Sequence, residues 1–112
     1  MIDLYSELNA KNQALDISVK QLRKSGENYG KAYTEYRIAL AKELLILKNE
    51  GYAITLAGDI ARGKPEIARL KYEEIATEAI YKANLESINA LKLQIKLLQN
   101  QIDKEWGVET KE

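Results

Sequence analysis

No cysteine, histidine or phenylalanine occurs among the 112 residues of this chain. Without cysteine there is no disulfide, no thiolate nucleophile and no iron–sulfur ligation. Without histidine the commonest general base and metal ligand are both missing. Net charge is absent too, because 17 basic and 17 acidic side chains cancel. A dedicated duplex-DNA binder usually carries a basic excess, so this balance counts against one. No apolar run approaches the roughly 20 residues that span a bilayer. The opening MIDLYSELNAKNQ, with Asp3 and Glu7, has no signal-peptide core. The expectation is a soluble cytoplasmic protein with no membrane partner, folded as one domain over residues 1–112.

Aromatics amount to 7% of the chain, seven tyrosines and one tryptophan. The apolar content is therefore mostly Leu, Ile and Ala, which suit helices. The dominant stretch runs from Pro65, the only proline, to Trp106, with no glycine between. As a helix over 65–106 it would extend roughly 60 Å at about 1.5 Å per residue. Tyr81, Leu85, Ile88, Leu91, Ile95, Leu98 and Ile102 recur at three and four, the spacing of one packed face. A second set, Ile67, Leu70, Ile75 and Ala79, covers the first half on a drifting stripe, and 107–112 reads as a charged tail.

Residues 2–24 read as a first helix. Its heptads place Tyr5, Asn12 and Val19 at one seam position and Leu8, Leu15 and Leu22 at the other. Asn12 buried at such a seam would fix register; at a frayed edge it would do nothing. The cluster Ser25-Gly26-Glu27-Asn28-Tyr29-Gly30 reads as a break. A second helix over 31–50 presents Tyr33, Tyr36, Leu40, Leu44 and Leu47, widened by Ile38, Ala41 and Leu45. Gly51 stands where a left-handed C-cap belongs. Between them and the long helix, Thr55 is a candidate N-cap for a short helix over 55–62, stopped by Gly63. The predicted fold is all-α: an antiparallel helical hairpin packed on a long C-terminal helix, coiled-coil-like, with a short connector helix.

Chemistry-bearing motifs fail on inspection. Gly58-Asp59-Ile60-Ala61-Arg62-Gly63-Lys64 matches seven positions of a phosphate-binding loop, but Pro65 replaces the hydroxyl residue that binds magnesium. A helix-turn-helix reading meets charged Asp59 and Arg69 where core residues belong. Glu74 and Glu78 share a helix face with Glu43 as a possible third, yet helical di-metal sites need an E-x-x-H element. The E-x-x-E of Glu109 and Glu112 lies in the tail. Tyrosines at helical spacing pack more often than they stack on bases. The expectation is no enzyme, no cofactor and no metal.

Two surfaces remain. Arg62, Lys64, Arg69 and Lys71 cluster around a helix N-terminus, where free N–H groups favour anions; phosphate, nucleic acid or an acidic partner would suit them. Against this, Asp59, Glu66, Glu73 and Glu74 are interleaved with them. The second surface is the half of the long helix that two 20-residue helices leave uncovered. Ile88, Leu91, Ile95, Leu98, Ile102 and Trp106 would form a patch that soluble monomers avoid, so a homo-oligomer, most simply a dimer, is expected there.

The segments Tyr36-Arg37-Ile38-Ala39-Leu40-Ala41-Lys42-Glu43, Gly51, Asp59-Ile60-Ala61-Arg62-Gly63, Ile67-Ala68-Arg69-Leu70, Ala90-Leu91-Lys92-Leu93 and Gln101 to Gly107 resemble a group of small helical proteins of tailed phages and prophages. The similarity covers about residues 29–107 and includes no catalytic motif. It implies a host-cytoplasm location and early-gene company, including replication and recombination functions. The most similar part, Asp59 to Leu70, coincides with the basic cluster. The expected function is a non-enzymatic phage protein, a helical oligomeric module that binds a phage or host protein. The alternative is an accessory nucleic-acid-binding protein of phage replication or recombination that uses the basic cluster to contact DNA.

Overall fold

The computed structural model describes residues 3–110, with side chains through Trp106. It is all-α, with helices α1 (Leu4–Asn49), α2 (Ile54–Gly63) and α3 (Pro65–Thr110). The chain forms two compact units: a terminal unit, residues up to Arg23 together with those from Lys82 on, and a middle unit, Lys24–Tyr81.

The expected break at residues 25–30 does not exist, and the two predicted helices are one helix of 46 residues. Two helix-interior glycines cost roughly 1 kcal/mol each relative to alanine. Packing offsets that cost. Ser25 is only 4% exposed. Gly26 faces the ring of Tyr81, and the Tyr29 ring lies 6.1 Å from that same ring. Small residues here let α3 come close.

In the middle unit α1 and α3 run antiparallel, since Tyr29 meets Tyr81, Tyr36 meets Lys71 and Glu43 meets Lys64. In the terminal unit they do so as well. Asn84 Nδ2 donates to the Gln21 carbonyl at 3.5 Å, and Leu4 shares a groove with Leu98 and Ile102. The inward face of α3 keeps one three-four repeat: Ile67, Leu70, Glu74, Thr77, Tyr81, Asn84, Ile88, Leu91, Ile95, Leu98 and Ile102 are all buried or half-buried. From Tyr81 onward this is the predicted face. Before it, the repeat lands on Glu74 and Thr77, which leaves Ile75 and Ala79 exposed, against expectation.

On α1 the seam residues Leu8, Leu15 and Leu22 are half-buried as predicted. The other seam position is one residue earlier than expected. Leu4, Lys11 and Ser18 are half-buried, whereas Tyr5, Asn12 and Val19 are exposed. Leu4, at this position, lines one groove with Leu98 and Ile102. Asn12 is exposed on the folded chain. The N-terminal heptads pack within the chain.

Gly51 ends α1 as predicted, with φ +98°. Its N–H donates to the Lys48 carbonyl at 3.0 Å, and that of Tyr52 to the Leu47 carbonyl at 3.2 Å, the paired bonds of a Schellman cap. The connector begins at Ile54 rather than Thr55, because Ala53 is its N-cap and no side chain caps it. Burial of Ala57, Gly58 and Ala61 holds it instead, with side chains small enough to lie against the long helices. Gly63 is its last residue, and Lys64 is the stop. Proline disfavours helical backbone in the residue before it, so Lys64 is extended, at φ −68° and ψ 135°. Its N–H closes α2 on Ala61, and its carbonyl opens α3 by accepting from Ala68. The long helix runs through Gly107 to Thr110, past its predicted end at Trp106. The remaining predicted tail, 111–112, lies outside the described residues.

Candidate docking surface

Half of the basic cluster is committed inside the chain. Lys64 Nζ pairs with the Glu43 carboxylate. That hydrogen bond, reinforced by the charges of Glu43, Glu50 and Glu66, raises the ammonium pKa above its ordinary value. The groove at the start of α3 is lined by Glu43 and Glu66 as well as Lys64, so the helix N-terminus already has carboxylates beside it. Lys71 Nζ donates to Glu74 at 3.1 Å and stands 4.8 Å from the centre of the Tyr36 ring. Glu74, only 7% exposed, is thus a buried carboxylate with a partner. Arg69 lies in a shallow groove that also holds Glu35 and Glu73. Arg62 folds its guanidinium over Gly58. The four cations do not converge on one site.

Glu78 does not join a metal site either. The Tyr29 hydroxyl donates to it, which, with desolvation and the negative charges of Glu78 and Glu74, raises the phenol pKa. Among the described residues no group of three or more carboxylates is placed to hold a metal ion. Asp3 caps α1: its carboxylate accepts from the Ser6 hydroxyl at 2.8 Å and the Tyr5 N–H at 3.0 Å, which lowers its pKa. Among the described residues no helix is long and apolar enough to cross a membrane.

The six residues expected at an oligomer interface are mostly covered by the chain itself. Ile88, Leu98 and Ile102 are buried, Leu91 and Ile95 half-buried, and Trp106 is 55% exposed. The premise of an uncovered stretch of the long helix fails, because α1 is one helix as long as α3.

A surface that sequence reasoning missed is the groove between the end of α1 and α2. Ala41, Leu44, Leu45, Lys48, Ile54 and Ala57 line it. Its walls are almost wholly carbon. Leu45 is 60% exposed and Ile54 75% exposed, the highest value among the large apolar side chains described. The residues were visible as a widening of the α1 face (Ile38, Ala41, Leu45). What was missing was the position of α2, which turns a broad face into a groove.

No family model, curated protein or solved structure matches this chain. Two apolar walls and one cation line the groove, and Leu45 and Ile54 stand open to solvent on it.

Proposed function

We propose that this protein is a helical interaction module that binds a partner protein through the α1–α2 groove of the middle unit. The observation that carries the reading is the exposure of Ile54 and Leu45 on facing walls of one groove. Water contact with clustered apolar side chains costs free energy that a partner's apolar surface recovers. The all-helical frame, with groove walls on two helices braced by a common core of Leu40, Leu47, Ala57, Ala61 and Ile67, supports it by holding the walls apart without a partner.

The phage resemblance supplies the candidate partners, which are phage and host proteins. The nucleic-acid alternative ranks second, because Lys64 and Lys71 are engaged by carboxylates.

The test compares partners retained by the wild-type chain and by Leu45→Asp and Ile54→Asp. Both variants should keep full helicity, since both side chains are exposed. A protein retained by the wild type and lost from both variants supports the reading. Identical retention by all three overturns it.

A further inference from the structure

Resting on that docking reading, we propose that the occupant of the groove is an amphipathic helix whose apolar face is flanked by carboxylates about three turns apart. The α1 wall is one helix face, residues Arg37, Ile38, Ala41, Leu44, Leu45 and Lys48, at the three-and-four spacing that aligns side chains. Its centre is apolar and each end is a cation. Arg37 and Lys48 are exposed, and neither has an ion-pair partner among the described residues. Of the nearby acidic residues, Glu43 pairs with Lys64, Glu50 acts on the same Lys64, and Glu35 lies in the groove with Arg69. The two cations are eleven positions apart, about 16 Å along the axis.

Charge excludes the simplest occupant, a second copy of the same face. Antiparallel pairing sets Arg37 against the other copy's Lys48, and parallel pairing sets each cation against itself. Like charges face each other either way, at a cost in affinity. A nucleic acid is disfavoured by the walls themselves. Of the groove lining only Lys48 can reach a phosphate, and no aromatic ring is there for a base to stack on. A helix with leucine or isoleucine anchors fills the groove, and a carboxylate at each end meets Arg37 and Lys48 as charge-assisted pairs.

The probe is a display library of 16-residue helical peptides with all surface positions randomised, selected against the full chain and counted by sequencing. The expected result is enrichment of peptides with apolar anchors between two Asp or Glu residues about eleven positions apart. Their affinity should fall at least tenfold for Arg37→Glu/Lys48→Glu and be lost for Leu45→Asp. Circular dichroism confirms that each variant is folded. Enriched peptides that need Leu45 and Ile54 but show no carboxylate preference overturn the acidic-helix inference and leave the docking reading standing. Enrichment of nothing dependent on Leu45 or Ile54 overturns both. A shift of the unliganded chain to a dimer that Leu45→Asp returns to a monomer would overturn the inference in favour of a second copy.

Discussion

A Cβ placed on Gly26 would stand 3.3 Å from Cε1 of Tyr81. The helix-breaking reading of Ser25 to Gly30 fails here, since α1 runs unbroken and a side chain on Gly26 would crowd the tyrosine ring. Gly30 makes a control: a Cβ there meets nothing within 4 Å. Gly30→Ala should stabilise the protein by about 0.5–1 kcal/mol through helix propensity alone. Gly26→Ala gains the same propensity but must shift the Tyr81 ring, so its midpoint in urea should lie clearly below that of Gly30→Ala. Equal stabilisation by the two would show that Tyr81 does not rely on the glycine.

This contact marks where the sequence could be read and where it could not. The α3 repeat from Tyr81 to Ile102 was legible because apolar residues themselves carry the period. The same repeat was hidden at Glu74 and Thr77, where polar residues occupy inward positions, and the eye follows Ile75 and Ala79 outward instead. Gly51 was legible because its left-handed turn is a local matter. The continuity of α1 was not, because it depends on Tyr81, 55 positions further along the chain from Gly26. The basic cluster was legible as composition, but its disposal depends on Glu43, on another helix. The groove required the placement of α2, which no local pattern specifies.

The burial of Ile88 and Ile102 has a consequence for stability. Ile88→Ala and Ile102→Ala should each cost about 2–5 kcal/mol, as buried large-to-small changes do. Leu93→Ala, on an exposed position of the same helix, should fall within about 0.5 kcal/mol of wild type. Ile95→Asp should lower helicity itself rather than release folded subunits. Sedimentation and circular dichroism on one sample separate these results. A fully helical Ile95→Asp chain at half the wild-type mass would restore the intersubunit role for this face.

Alkaline pH should weaken the fold. The pKa values of Tyr29, through Glu78, and Lys64, through Glu43, are raised from their ordinary values of 10.0 and 10.5. A raised pKa means that the folded state holds the proton more tightly than the unfolded one. The stabilisation is therefore complete below the unfolded value and lost as pH rises through the folded one. Thermal midpoints should fall above about pH 10, and Tyr29→Phe should make the decline shallower. Parallel curves for wild type and variant would remove the Tyr29–Glu78 contact from the account. Asp3, whose pKa is lowered by Ser6, acts in the opposite sense, and its contribution disappears as pH falls below 3.8 through its folded value.

The split of the basic cluster predicts the outcome with DNA. Tight, salt-sensitive binding needs several phosphate contacts at once, since each releases counterions. Lys64 and Lys71 must abandon Glu43 and Glu74 to contribute, and Arg69 sits among Glu35 and Glu73. Short single-stranded and duplex DNA should therefore show no saturable binding at about 50 mM salt. Glu43→Gln should free Lys64 without creating a site, because Glu66 still stands at the start of the helix. Saturable binding by the wild-type chain that weakens steeply with salt, and that Arg62→Ala/Arg69→Ala abolishes, would reverse the ranking of the two functions. It would also mean that the carboxylate partners give way to phosphate on contact.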